Sequence, residues 1–526
     1  MDAHSLILGL FASVTAAPLP CRLVAQTGAL DPDLDVDGIV ITDLAHDADY
    51  AFSLVVQPDG RFVLAGYTYL GSNYMFAVVR YLADGATDST FGANGVALVD
   101  VGEGNDQAQA VALQPDGKLV VAGSAVNGLT SDFALVRLNA DGSLDGCFGE
   151  GGTVTTDFGI GSAVARSVAL QPDGMVVLAG SWDTDSGDVI AMARYTADGV
   201  LDDDFGTAGK VTTDISAGSD RALAVALQPD GKLVVAGVDS IGPFADFAVV
   251  RYNGDGTLDN SFGTDGTVST DLGSGSGTGS DWAYAVAIQP DGRIVAAGYG
   301  EVANNFNFAA VRYLTDGTLD NSFSGDGRVS TSFNVGTDAA HSMALQADGR
   351  IVLAGASSTS FLFNFALLRY NADGTLDDTF GVGGKVVTPL AALYDEAYAV
   401  AIQPDGKILA AGYAYNGSDN DIAVVRYLND LNVGLLDLSV PDNSVLVFPN
   451  PIHGEAILQY ALASEERITI QLLDLEGRVL QTFLDGHVQP AGPHQQAIAL
   501  PRELASGAYL VVIFSEVGKK CIKIVK

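Results

Sequence analysis

Seven times between residues 57 and 406 the chain repeats one tight turn. Gln57-Pro58-Asp59-Gly60 recurs at Gln114, Gln171, Gln228, Gln289 and Gln403, and as Gln346-Ala347-Asp348-Gly349 in the sixth copy; the steps are 57, 57, 57, 61, 57 and 57 residues. A fixed period of this length marks a repeat architecture, in which each unit is too small to bury its apolar face alone. The turn has a local cause. Gly supplies a positive φ and Pro presets its own, so the Pro-Asp-Gly run reverses the chain as a hairpin.

The second unit shows the parts. Residues 110–114 lead into the turn, 118–123 follow, a variable loop comes next, and 132–137 return. Asn139-Ala140-Asp141-Gly142, Leu144-Asp145, Phe148-Gly149 and 152–157 complete it. Four β-branched or alternating runs separated by turn residues predict four short strands, which in a repeated unit make a propeller blade. The ends predict how the ring shuts. Residues 30–43 match only the last quarter of a unit, and the final copy, 399–427, lacks its fourth strand. The N-terminal strand is therefore expected to complete the last blade and remove the open edges. The predicted fold is all-β: a seven-bladed propeller over 27–430.

Composition narrows the partners. Hydrophobic residues at 48%, with 62 Gly and 17% charged residues, fit apolar strands joined by Gly/Asp turns and not a disordered chain. The formal charge is −38. Residues 447–526 hold 7 Lys/Arg against 8 Asp/Glu, so the remainder carries 19 against 56, or −37. Such a body repels nucleic acid and anionic membranes. Three distant cysteines, Cys21, Cys147 and Cys521, exclude a disulfide framework and a thiolate metal cluster. The apolar run 6–12 is too short for a membrane span and reads as the core of a signal peptide over 1–26, although Asp2 and His4 stand where basic residues are usual. No membrane span is expected, and Pro18-Leu19-Pro20 before Cys21 does not predict lipidation.

Together the QPDGK turn, the Val-Arg-Tyr strand and the LDxxFG loop resemble the delta-60 repeat, a bacterial family of β-propellers with unassigned activity. The departures are Ala347 for Pro, Thr87 and Ser324 in the LD and FG positions, and a first LD segment without Phe. After a linker over 431–446 the pattern changes. Phe448-Pro449-Asn450-Pro451, strands predicted at 456–460, 468–474 and 509–514, Ser506-Gly507-Ala508-Tyr509 and the basic tail 519–526 are similar to the C-terminal sorting domain of the type IX secretion system. The resemblance implies a small Ig-like β-sandwich over 447–526, recognition by the type IX secretion machinery, and a secreted or cell-surface protein delivered across the outer membrane.

Three side-chain sets stand out. An Arg lies 23 residues after each Gln: Arg80, Arg137, Arg194, Arg251, Arg312, Arg369 and Arg426. Half-buried in a strand, each needs a carboxylate from an LD or PDG Asp, which makes it a structural ion pair. An Asp lies eight before the Gln: Asp49, Asp106, Asp220, Asp281, Asp338 and Asp395, with Ala163 breaking the set. If these form a ring at the channel mouth they could hold Ca²⁺; otherwise each caps the backbone as an Asx turn. Aromatic residues gather in the variable loops, among them Tyr67, Tyr69, Trp182, Trp282, Tyr284, Tyr413 and Tyr415, where rings could stack on a sugar or pack between blades. Asp33-Leu34-Asp35-Val36-Asp37-Gly38 mimics the start of an EF-hand, but position 12 would be Leu44, so the bidentate Glu is missing.

His46 and His341 are the histidines near these aspartates, without a nucleophile elbow, phosphate loop or metal-ligand spacing. No organic cofactor or catalytic set is implied. The expected role is non-catalytic binding of an extracellular glycan or protein through the variable face. A secreted carbohydrate-active enzyme using carboxylates of that face, and a cation-stabilised surface protein, are the alternatives.

Overall fold

The computed structural model describes residues 27–44, 47–241, 244–273, 279–302, 305–334, 336–359, 362–391, 394–429, 446–448, 455–462, 464–473, 479–500, 508–515 and 518–525. The signal-peptide and linker readings, apart from Leu446, fall outside them, as do His46, Pro449, Asn450, Pro451 and Gly507.

Seven four-stranded antiparallel sheets form the propeller. In blade 2 the strands are Asp106–Leu113, Leu119–Asn127, Thr130–Leu138 and Thr153–Thr156, paired in that order. The seventh sheet is assembled from both ends of the ring. Asp395–Ile402, Ile408–Tyr415 and Asn420–Tyr427 are joined by Ile39–Thr42, with Ile39 opposite Val425 and Thr42 opposite Ile422. The N-terminal strand thus closes the last blade.

The first strand of each blade touches the first strands of its two neighbours, so these seven strands surround the axis. Small side chains let them approach there. The core is not central but lies between blades, in seven equivalent apolar layers. In one of them Val63, Phe76 and Phe91 of blade 1 meet Leu119, Val121 and Val136 of blade 2. The layer between blades 7 and 1 is completed by Leu34 and Val40 of the N-terminal segment.

Topology puts the QPDG turns and LDxxFG loops at one end of the blades, and the second-to-third hairpins with the starts of the inner strands at the other. Contact between Lys118 Nζ and Asp145 Oδ2, at 2.8 Å, ties the first two together.

The C-terminal residues form two further sheets, one of Leu446–Phe448, Glu455–Leu462 and Gly492–Ala499, the other of Val479–Gln489, Glu466–Leu473, Ala508–Ser515 and Gly518–Val525. Leu458 and Tyr460 from one sheet share a core with Ile470, Leu472 and Val511 from the other, which makes a β-sandwich. Tyr509 packs against that core, and Phe448 lies in an edge strand.

Candidate functional site: the axial channel

The seven arginines have one environment. Arg80 Nε lies 2.8 Å from Asp88, Arg137 2.8 Å from Asp145, Arg194 2.6 Å from Asp202, Arg251 2.7 Å from Asp259, Arg312 2.7 Å from Asp320 and Arg369 2.7 Å from Asp377. Arg426 reaches across the ends of the ring to Asp31 at 2.6 Å. A second nitrogen donates to the next blade, as from Arg80 to the Ala140 carbonyl and from Arg251 to that of Thr315, both 2.5 Å. Six of the guanidiniums also lie over the LDxxFG phenylalanine, at 4.3–4.7 Å. The first LD segment has Leu34 there instead, fully buried. These residues staple blade to blade.

The aspartates do not line the channel. Strand side chains alternate, and the Asp position turns away from the axis toward the segment that follows the last strand of the preceding blade, while the next residue is on the other face of the strand. Asp49 accepts from the Leu44 amide at 2.6 Å, Asp106 from Val101 and Gly102, Asp220 from Ile215 and Ser216, and Asp395 from Leu390 and Ala391. Asp281 and Asp338 hold the Leu272 and Phe333 amides in the same way. Each therefore caps the loop before its strand, and the six do not converge on one another. Two belong to small carboxylate groups: Asp49 with Asp43 and Asp421, and Asp281 with Asp246 and Asp271, their oxygens mutually within 4.8 Å. Burial is the largest cause that pushes Asp49, Asp220 and Asp281 up to about 6, and neighbouring carboxylates add to it. At Ala163, where the Asp is missing, Trp182 is the cross-strand partner and packs on Phe158.

What faces the axis is a different set. Every inner strand carries a β-bulge at the residue five before its Gln: Phe52, Gln109, Arg166, Leu223, Tyr284, His341 and Tyr398. All seven line one cavity of about 520 Å³ on the propeller axis. The bulge has a partner requirement. Opposite it stands the Gly of the second strand, as Gly123 does against Gln107, whose carbonyl oxygen would lie 2.0 Å from any Cβ added there. Two residues before the bulge, Tyr50, Gln107, Arg221, Trp282 and Glu396 form a second, half-buried tier nearer the variable loops.

The channel has two unlike arcs. Over blades 5, 6, 7 and 1 the rings are continuous: Tyr284 meets His341 edge-on at 5.1 Å, His341 stacks on Tyr398 at 4.5 Å and 10°, Tyr398 meets Phe52 at 4.8 Å, and Phe52 stacks on Tyr67 at 5.3 Å. Tyr413 joins through Tyr50 and Tyr398, and Trp282 stacks on Tyr284 and Tyr299. Tyr69 packs further out on Tyr74, and the Tyr415 hydroxyl bonds to the Gly417 carbonyl. The other arc, blades 2 to 4, presents Gln107, Gln109, Arg166 and Arg221 beside Leu223.

Titration in the channel is set by burial. It brings His341 down to about 4, so the ring is neutral at neutral pH, and its Nδ1 has no hydrogen-bond partner. Among the described residues no Asp pairs with it, and the ring lies between Tyr284 and Tyr398. Burial raises the Glu396 carboxyl, opposed by the Tyr398 hydroxyl, which donates to it at 2.8 Å. Arg221 is held by Asp188.

The sequence sets mentioned above missed five of the seven bulge residues as site candidates, although a signal was present. The residue before the bulge is Ala in every repeat and the one after it Ser or Ala, while the position between runs Phe, Gln, Arg, Leu, Tyr, His, Tyr. Crevices on the opposite face, such as the one lined by Pro290, Asp291, Gln346 and Gly349, are built from the same turn in each blade.

Comparison with known proteins bears on both units. Residues 57–91, 114–148, 171–205, 228–262, 289–323, 346–380 and 403–433 match the β-propeller domain of unknown function DUF5122, and 446–526 match the secretion system C-terminal sorting domain. No curated protein matches. Among solved structures, polysaccharide lyase Uly1 is 10% identical with a TM-score of 0.41, covering 72% of this chain and 90% of that one. Sqt1 of Chaetomium thermophilum, bound to the N-terminus of ribosomal protein L10, is 12% identical with a TM-score of 0.35, over 74% and 98%. A GH32 β-fructofuranosidase of Bombyx mori is 9% identical with a TM-score of 0.29, over 94% and 89%. Likenesses this distant carry no argument about what the channel takes.

Proposed function

We propose that this chain, a DUF5122-type β-propeller with a secretion system C-terminal sorting domain, is a non-catalytic glycan-binding protein. The sorting domain sends it through the type IX route to the cell surface or the extracellular space. The axial channel is its binding site.

The observation that carries this reading is the pairing of an unbroken aromatic arc with a polar arc in one cavity of about 520 Å³. Sugars offer an apolar face of C–H bonds and an edge of hydroxyls. Rings stack on the first and amides or guanidiniums bond the second, and a cavity of this size suits a short saccharide segment. Hydrolysis by the usual route needs two carboxylates flanking the bond. Among the described residues the bulge tier contributes none, and the upper tier contributes Glu396 alone, already engaged by Tyr398. This favours binding over turnover.

The test is calorimetric titration of the full chain with a panel of neutral and acidic oligosaccharides, alongside an assay for released reducing ends. Binding without cleavage is expected. Tyr398→Ala should weaken it about tenfold, the loss of one stacking ring, and Tyr398→Phe should weaken it little. Measurable turnover that Glu396→Gln abolishes would replace this reading with the enzymatic one.

A second reading, cation stabilisation, is supported by the groups Asp43–Asp49–Asp421 and Asp246–Asp271–Asp281. It requires that Ca²⁺ raise the melting temperature and that EDTA lower it.

A further inference from the structure

We propose that the saccharide is acidic, and that its carboxylate is seated on Arg166 in the axial channel. This deepens the glycan reading and rests on it.

Arg166 differs from the seven stapling arginines. Each of those has an aspartate within 2.6–2.8 Å. Arg166 projects from the bulge of blade 3 into the cavity. Its Nε is buried without a hydrogen-bond partner, and among the described residues no carboxylate lies within ion-pair distance. Scarcity of acid is not the cause, since the chain holds 64 Asp and Glu against 26 Lys and Arg. The charged and titratable groups around it are Arg221, the Asp188 that holds Arg221 and attracts Arg166 from beyond ion-pair distance, and the neutral hydroxyls of Tyr67 and Tyr284. Burial lowers its pKa, the mark of a cation short of solvation.

A guanidinium in such a place is unfavourable until something pairs with it. Its planar fork matches a carboxylate through two parallel bonds. A sugar ring lying on the Tyr284–Tyr398 arc would point one edge across the channel toward the polar side. The acidic body selects against densely charged polymers such as nucleic acid and tolerates a ligand with isolated carboxylates, because distant charges are screened and the adjacent guanidinium is not.

The experiment titrates the full chain with tetrasaccharides of galacturonate, glucuronate and mannuronate, with their carboxyl-reduced neutral counterparts, and with a short peptide ending in a free carboxylate. At least one uronate is expected to bind about 10- to 100-fold more tightly than its reduced form, the range of a charge-assisted hydrogen-bonded pair, and more weakly as salt rises. Arg166→Gln should abolish that difference, the affinity for the uronate falling about 10- to 100-fold further than that for the neutral form. This variant removes an unpaired buried charge, so its melting temperature should not fall. Should it fail to fold, Arg166→Lys keeps the charge without the fork and is expected to lose most of the preference. Equal binding of acidic and neutral forms, or a preference that survives Arg166→Gln, overturns the inference and leaves the glycan reading standing. If no saccharide binds, or the peptide alone does, both fall.

Discussion

Asp202 is the stapling aspartate with a single cation. Elsewhere the residue after the turn adds a second one: Arg61 to Asp88, Lys118 to Asp145, Lys232 to Asp259, Arg293 to Asp320, Arg350 to Asp377 and Lys407 to Asp31. In blade 3 that residue is Met175. Removing one partner of a buried pair strands the other charge, which costs about 3–5 kcal/mol. Arg194→Ala is therefore expected to approach that loss, and Arg137→Ala, where Lys118 still holds Asp145, to lose clearly less. Denaturant midpoints of the two variants decide it, and equal losses would count against the role given to the second cation. Legibility at this scale was uneven. A seven-fold Arg at constant spacing announces a structural partner, and the repeat supplies the partner. That Arg166 lacks one is invisible in sequence, because a chain with 64 acidic residues offers candidates for any arginine.

At the level of the element, the inner strand is defined by its bulge, and the bulge by the glycine across from it. A Cβ at Gly123 would meet the Gln107 oxygen at 2.0 Å, and one at Gly180 the Val164 oxygen at 1.9 Å. Both contacts are with backbone, which cannot rotate away. Gly123→Ala is expected to destabilise by about 1–3 kcal/mol or more through overpacking, whereas an exchange at the bulge itself, Gln109→Leu, should change stability little. Thermal melts of the pair would show it, and a mild Gly123→Ala would mean the bulge can relax. The QPDG turn and the four strands were readable because Gly, Pro and alternation act locally. The aspartate ring was misplaced because one residue of strand phase turns a side chain away from the axis toward the preceding blade.

For the molecule as a whole, closure and charge set the behaviour. Deleting residues 27–43 removes the strand opposite Val425 and the Asp31 partner of Arg426. An edge left open invites pairing with other copies, so size-exclusion chromatography should show oligomers or aggregates in place of a monomeric peak. The pH dependence has two opposed branches. Asp145, bonded by Lys118 and then Arg137, is held at about 2 against an ordinary 3.8; it favours the fold above 3.8, and that contribution fades as pH falls toward 2. Asp49, Asp220 and Asp281, pushed up by burial to about 6, act the other way, and stability declines as pH rises from 3.8 through 6. The melting temperature is expected to peak near pH 4, where the two branches meet, and to be lower at pH 7.5. If Ca²⁺ occupies the carboxylate groups, adding it should flatten only the upper branch.

By itself the sequence determined what local chemistry and counting can reach: a period, a turn, four strands to a unit, seven units, a first strand that belongs to the last blade, and a sorting domain of different grammar. These follow from rules acting within about 60 residues, repeated. Which side chains meet on the axis was decided only by the tertiary structure. Phe52, Arg166, Tyr284 and Tyr398 lie far apart along the chain and on different blades, and a bulge too small to alter the strand pattern turns each inward. Ring closure then gathers them into one cavity, a relation between blades that no single repeat encodes.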